Sequence, residues 1–500
     1  MTDKDNTSPK KQPGSPSPPA AGDGSPKKQK QTAGQGAGGT KLKDAKQLQA
    51  MIDESERREA QVNPALRPHA FWDEQPVLKL TDAANTGEYA PLEFVTPRPE
   101  PYPLPQGFVW DCLDLKDDKQ LEELHSFLAE HYIEDREVQS TLRFTYSKDI
   151  LRIALLSPGF LSDWHIGVRT EGKRKLVAFI SGTPQLLLMG EEKVKECTVN
   201  FLCVMRKLRA KRLAPVLIKE LTRRVAATEG YQQAIYTNTD LLPGAIGTCV
   251  YWHRPLNFRK LLECQFVGVP AKVTISAAIR LFRVPDPVQR SPPFQRMEVK
   301  DAAAVAELLN GYLKKFRVRP HFTEETVAHW VTACGPKDTA PSAAAAAAPA
   351  ANGASSSEEK EKAENGGEEK EEGAEEAKEV DTATMYCFVR KDKKGAALDF
   401  FSLYGLDFRV VGQGEQKHSH LRVAYLYYYA AGTLSATDLV GDAIANAKQL
   451  GYDVVNSLDA LETGTVVKEL KFEPGKPLHY YMYNYRCPRS QPHEIGMLLF

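Results

Sequence analysis

Five hundred residues are too many for one ordinary domain and suggest two or three. The 65 basic and 65 acidic side chains balance, which excludes a global pull toward nucleic acid or an anionic membrane. Eight cysteines, none in a CxxC pair or at zinc spacing with histidine, argue against a disulfide framework or a structural metal.

The charge balance hides a segregation. Residues 1–47 hold nine lysines against four acids, and residues 358–381 hold twelve acids against four lysines. The first 45 residues carry almost no large apolar side chains and cannot offset their ordering entropy, so they are expected to be disordered. No apolar region near the start resembles a signal peptide, and no stretch reaches the ~20 residues that span a bilayer. A reduced, soluble, cytoplasmic monomer without a DNA partner is the expectation.

Along the chain, 44–61 has the pattern of a short helix leading into the fold. "HAFWDEQPV" (69–77) sets two aromatics beside an extended Gln-Pro segment, and 162–184 reads as a hairpin, Trp164 to Arg169 and Leu176 to Ser181. In "CTVNFLCVMRKLRAKRLAPVLIKELTRRV" (197–225) a buried strand through Val199, Phe201, Cys203 and Val204 runs into a basic turn, Arg206 to Arg212. A helix follows, with Pro215 tolerated in its first turn. Such a helix start can hold a pyrophosphate, with Arg209, Lys211 and Arg212 adding charge-assisted bonds. The pattern equally fits an ordinary strand–helix junction with solvated basic residues, and it lacks the glycines of a P-loop or dinucleotide fingerprint.

"GTCVYWHRPLNFRKL" (247–261) joins Tyr251 and His253 to a loop, where a histidine among aromatics is commonly a structural hydrogen-bonder. The Ala-rich and acidic block 341–380 reads as a long solvated insertion, bounded at 335–381. The rest alternates strands and amphipathic helices, which indicates a mixed α/β fold. "HLRVAYLYYYA", the helix "TDLVGDAIANAKQLG" and "YDVVNSLDAL" repeat the strand–helix–Gly-Tyr–strand layout of 197–240, as a duplication or as generic α/β units would. No side-chain nucleophile or base has a recognisable context. The chain ends instead on an apolar run, Met497 to Phe500, whose burial would carry the α-carboxylate into a low-dielectric interior.

These blocks resemble the eukaryotic protein N-myristoyltransferases, or glycylpeptide N-tetradecanoyltransferases. "VNFLCVMRKLRAKRLAPVLIKELTRRV", "FWDEQPV", "GFVWDCLDL", "HYIEDREVQSTLRFTYS", "DWHIGVR", "KLVAFISGTP", "GTCVYWHRPLNFRKL", "DFFSLYGL" and "YYMYNYRC" occur in family order over 66–500, outside the insertion. The resemblance implies two fused GNAT-like acyltransferase domains: a basic arm and lead-in at 1–65, an acyl-CoA-binding domain at 66–285 and a peptide-binding domain at 286–500. It also makes the duplication the better reading.

The implied reaction moves myristate from myristoyl-CoA, a co-substrate in an enzyme without a further cofactor, to the N-terminal glycine amine of a protein. By resemblance, the amides of Phe201 and Leu202 form the oxyanion hole, and Leu202, Cys203 and Val204 line the acyl channel. Arg209, Ala210, Lys211, Arg212, Leu213 and Ala214 form the pyrophosphate turn, while His69, Ala70, Phe71 and Trp72 cover the nucleotide end. Thr237 stands near the glycine amine, and Tyr132, Phe144, Tyr251, His253, Ser402 and Tyr425 belong to blocks that line the peptide groove. The resemblance assigns the general base to the carboxylate of Phe500.

Departures are Met205 and Ala210, where the family commonly has His and Ser. Arg136 interrupts an acidic run after Glu134 and Asp135, and "FEPGKPLHYY" lacks an acid often present there. Two other readings stand beside this one, a different CoA-dependent N-acyltransferase of the same fold and an RNA- or ribosome-binding protein. The basic arm is read as a ribosome tether serving nascent proteins with N-terminal glycine.

Overall fold

The computed structural model describes residues 69–79, 87–132, 142–269, 272–333, 384–410 and 417–500. The arm at 1–65, the helix expected at 44–61, the Glu134–Arg136 run and the insertion at 335–381 lie outside the described residues. In the first part of the chain the strands are β1 (Ala90–Pro91), β2 (Phe108–Cys112), β3 (Leu142–Thr145), β4 (His165–Thr170), β5 (Leu176–Met189), β6 (Glu192–Val204), β7 (Gln233–Asn238) and β8 (Ala245–Pro255). Later come β9 (Gln295–Arg296), β10 (Val318–Pro320), β11 (Met385–Lys391), β12 (Ala397–Val410), β13 (His420–Ala431), β14 (Val454–Leu458), β15 (Glu473–Tyr483) and β16 (Tyr485–Arg486). The longer helices are α1 (Asp118–His131), α2 (Lys148–Leu155), α3 (Leu213–Ala226), α4 (Ala302–Leu313), α5 (Glu324–Thr332) and α6 (Ala436–Gln449).

Local chemistry sets the helix starts. Asp117, Ser147, Thr323 and Ser435 each accept a first-turn amide hydrogen bond, at α1, α2, α5 and α6 respectively. Helix α3 has no side-chain cap. It begins where Arg212, at φ +55°, turns the chain out of a short 3₁₀ segment, Arg206–Lys211.

One 14-stranded sheet runs in the order β2-β4-β5-β6-β7-β15-β8-β14-β13-β12-β11-β9, with β10 on β5 and β3 on β12. The mixed α/β class expected from the sequence is present. The two look-alike segments are the two β–α–β units, β6–α3–β7 and β13–α6–β14, and each closes a parallel strand pair. Period-2 alternation sorts the first half's core onto the two faces of β5 and β6. Phe179, Phe201 and Cys203 face Leu121, Leu124 and Leu151 of α1 and α2. Ala178, Ile180 and Val204 face Leu213, Leu217 and Leu221, which recur every fourth residue along α3. No described helix is long and apolar enough to cross a membrane.

Candidate active site

Strands β6 and β7 pair only from Glu196–Gln233 to Thr198–Ile235. Beyond that point Val199, Asn200 and Leu202 on one side and Tyr236 and Thr237 on the other line a cavity of about 1030 Å³. On the α3 side its wall is mostly apolar, formed by Ile180, Ile218, Leu221, Val225 and Ala234, with Thr222 and Gln233 the polar exceptions. On the other side it is a ring of aromatics with polar tips, Tyr132, Tyr146, Tyr251, Tyr404, Tyr425 and His253. The cavity therefore joins a greasy slot to a polar-edged groove.

At the junction β6 carries a bulge. Phe179 opposes Cys203 and Ser181 opposes Asn200, so Ile180 faces both Phe201 and Leu202. Phe201 adopts φ +55°, a left-handed conformation that a bulky residue adopts only when its surroundings enforce it. Its ring supplies the enforcement, buried among the α1–α2 side chains and edge-on to Tyr146 at 5.1 Å. A bulge leaves a residue outside the ladder, and here the Phe201 main chain hydrogen-bonds the hydroxyl of Tyr132, which lines the cavity.

The tyrosine hydroxyls stay neutral. Burial pushes Tyr146 and Tyr404 far above the ordinary phenol value, and Tyr132 likewise, although the backbone of Phe201 hydrogen-bonds its hydroxyl. Tyr425 is pushed up to about 12 by burial, opposed by a hydrogen bond with Asn456. Tyr425 stacks on Tyr404 at 5.0 Å and meets Tyr251 edge-on at 6.3 Å. Burial lowers His253, and its Nδ1 hydrogen bond with Asn456 Oδ1 (2.7 Å), which opposes that lowering, fixes the ring.

The chain terminus enters the same cavity. Ile495, Met497 and Leu498 are buried, and Phe500 lines the cavity with its ring 4.7 Å from that of Tyr427 and 5.3 Å from that of Tyr404. Main-chain bonds hold the approach: Gly496 N–H donates to Val318 C=O (2.7 Å), and Leu461 N–H donates to Ile495 C=O (2.9 Å).

Of the other residues singled out, Leu202, Thr237, Tyr132, Tyr251, His253, Tyr425 and Trp72 line the cavity. Trp72 stacks on Tyr236 at 5.4 Å, which stacks on Tyr481 at 5.0 Å, and Phe71 sits edge-on to Trp72. The segment starts with a turn in which the His69 amide bonds Asp73, and Ala70 is exposed in it. Cys203 and Val204 are packed in the core on opposite faces of the sheet. Arg209 reaches from the 3₁₀ turn to the His131 carbonyl (2.9 Å), Ala210, Lys211 and Arg212 are exposed, and Leu213 and Ala214 begin α3. Phe144 pairs with Phe408 across β3 and β12. Ser402 is fully buried at a register shift of β12, its hydroxyl donating to the Tyr428 carbonyl (2.8 Å). Tyr404, Asn456, Tyr146 and Gly475 also line the cavity; they stand in "DFFSLYGL", "YDVVNSLDAL", "LRFTYS" and "FEPGKPLHYY", where nothing local singles them out.

The chain matches known proteins over most of its length. Residues 91–249 match the family model of the myristoyl-CoA:protein N-myristoyltransferase N-terminal domain, and residues 263–497 match that of its C-terminal domain. The chain is 38% identical over 441 residues to glycylpeptide N-tetradecanoyltransferase 1 of Arabidopsis thaliana, covering 87% of this chain and 89% of that one. It is 36% identical over 461 residues to glycylpeptide N-tetradecanoyltransferase 2 of Bos taurus, covering 92% and 82%. A crystal structure of Saccharomyces cerevisiae N-myristoyltransferase with bound myristoyl-CoA superposes with a TM-score of 0.72 at 30% identity, over 86% of this chain and 94% of that chain. A cavity that joins an apolar slot to a polar-edged groove, on a chain matched through both halves, makes this protein a member of the myristoyl-CoA:protein N-myristoyltransferase family.

Proposed function

We propose that this chain transfers myristate from myristoyl-CoA to the N-terminal glycine of protein substrates, with its own terminal carboxylate as the base. One observation carries the reading: the β6 bulge and Phe500 line one cavity, between an apolar slot and a polar groove. The acyl chain lies in the slot toward α3 and the peptide in the aromatic groove. The CoA diphosphate sits at the 206–212 turn ahead of α3, and the Trp72 segment covers the nucleotide end.

The incoming glycine is largely an ammonium at neutral pH, since an α-amino group titrates at ~7.7–8.0. The Phe500 carboxylate takes one of its protons, with Thr237 beside the nitrogen. The freed lone pair attacks the thioester carbon, a C–N bond forms, and the carbonyl π electrons move to oxygen. The amides of Phe201 and Leu202 hold that oxyanion; donors set in advance by the fold spare reorganisation, and loss of one typically lowers the rate by roughly 10²–10³. Collapse breaks the C–S bond and expels the CoA thiolate, which takes the nitrogen's second proton and leaves a neutral amide and the CoA thiol. Tyrosines that stay protonated across the working pH range bind the peptide as neutral donors.

The test compares myristoyl-CoA with acetyl-CoA on a Gly-peptide by mass shift, in the intact chain and in one lacking Phe500. Selective C14 transfer that collapses on removal of Phe500, with acyl-CoA affinity retained, supports the reading. Selective acetyl transfer overturns the substrate, and full activity without Phe500 overturns the base.

A further inference from the structure

We propose that Tyr428 and Tyr480 are positioning residues that set how far the terminal carboxylate reaches into the cavity. The inference rests on the reading of that carboxylate as the base. Tyr428, on β13, accepts a hydrogen bond from Leu498 N–H (2.8 Å), and its hydroxyl lies within donating distance of Leu498 C=O (3.2 Å) and Met497 Sδ (3.7 Å). Tyr480, on β15, donates to Met497 C=O (2.9 Å). Two strands thus grip two consecutive residues through side-chain hydroxyls, although the tail upstream is held by main-chain bonds to Val318 and Leu461.

Leu499 and Phe500 separate Leu498 from the Phe500 carboxylate, a reach of roughly 7 Å when extended. A carboxylate on so short a tether inherits its position from the last fixed point. Both anchors are themselves rigid. Tyr428 is buried, parallel to Trp330 at 6.0 Å and edge-on to Phe322 at 4.8 Å. Tyr480 is fully buried and pairs across the ladder with Thr237. One strand pairing therefore ties the tail to the residue that lines the amine end of the cavity. Burial pushes both phenols far above their ordinary value, so each hydroxyl keeps its proton and its role in the grip.

A merely structural role would lower stability and leave turnover per folded molecule unchanged. A positioning role lowers kcat, because a misplacement of about 1 Å in a reacting group can reduce rate by about 100-fold. The experiment measures kcat, peptide KM and myristoyl-CoA affinity for Tyr480→Phe, Tyr428→Phe, a chain lacking Phe500, and each tyrosine variant combined with that deletion. The expected result is a kcat reduced roughly 10- to 100-fold in each tyrosine variant. Acyl-CoA affinity stays within about twofold, and neither substitution adds to the loss caused by deleting Phe500. Tyr480→Phe is decisive if Tyr428→Phe does not fold, since it strips a partner from a carbonyl and leaves the Leu498 amide paired. Unchanged kcat in Tyr480→Phe, with the deletion still inactive, overturns the positioning role and spares the base. An active deletion overturns both, and losses that simply multiply with the deletion show the tyrosines acting elsewhere.

Discussion

Glu196 lies on β6 with its carboxyl fully buried, taking hydrogen bonds from Thr198 Oγ1 (2.7 Å) and Ile235 N–H (3.1 Å). Burial, opposed by those two bonds, pushes it from an ordinary 4.5 up to about 8. Between those two values the folded chain therefore holds a proton that the unfolded chain has released, so stability falls as pH rises through that window. The fall is on the order of a few kcal/mol. Glu196→Gln keeps the shape and cannot ionise, so its stability is expected to change less between pH 5 and 8 than that of the unsubstituted chain. Urea midpoints at both pH values measure this, and parallel changes in the two chains would refute it. A second residue-scale expectation concerns Gly475, where a Cβ would collide with His253 Nε2 and come within 3.0 Å of the Tyr251 carbonyl. Gly475→Ala must displace the His253 ring from Asn456, and overpacking of this kind costs about 1–3 kcal/mol. Peptide KM is expected to rise about tenfold for a shift of that size, with acyl-CoA affinity unchanged; steady-state kinetics at varied peptide decides. Thr237, Tyr251 and His253 were named through the family resemblance and not by any local pattern, and all three line the cavity. Asn456, Tyr404 and Tyr480 were not, since they approach those residues from strands some 150–240 residues away, and strand alternation alone marks them only as buried.

At the scale of elements, the two β–α–β units were readable from their strand–helix–strand order, because a parallel pair needs a crossover and a helix supplies it. The bulge was not. Nothing in "VNFLCV" marks Phe201 for positive φ, and glycine would be the expected residue there. Packing of its ring imposes the conformation, and that packing comes from α1 and α2. The tail was half readable: its apolar run announced burial, but not the bonds to β10, β13 and β15 that give it a path. Gly496 shows how tight that path is, since a Cβ there would lie 2.9 Å from the Phe316 Cβ and 3.1 Å from its ring. Gly496→Ala must push the tail off β10. It is expected to lower kcat by at least about tenfold while leaving myristoyl-CoA affinity within about twofold, because the slot proposed for the acyl chain is lined by Ile218, Leu221 and Val225 of α3, not by the tail. Turnover assays paired with calorimetric titration of myristoyl-CoA would show this; unchanged kcat would mean that tail placement does not set the rate.

At the scale of the molecule, the sheet order holds a feature no local reading contains. The first half contributes β2-β4-β5-β6-β7 and the second β9-β11-β12-β13-β14, yet the next strand beside β7 is β15 and the next beside β14 is β8. Each half is completed by a strand from the other, and the exchanged strands meet antiparallel at the centre, with His479 opposite Thr248 and Tyr480 opposite Gly247. Removing the second half would strip β7 of its ladder from Ala234 to Asn238 and expose Ile235 of the core. It would also remove the tail and the groove wall formed by Tyr404, Tyr425 and Asn456. Residues 66–285 expressed alone are therefore expected to show no cooperative urea transition, although they contain the whole β6–α3–β7 unit. Co-expression of 1–340 and 381–500 as separate polypeptides is expected to restore a stable complex with transferase activity, because β15 inserts between β7 and β8 without a covalent link through 341–380. Co-purification followed by acyl-transfer assay reads the outcome. A cooperatively folding, acyl-CoA-binding 66–285 fragment would show that the exchange is ornamental and that the first half is complete without its borrowed strand.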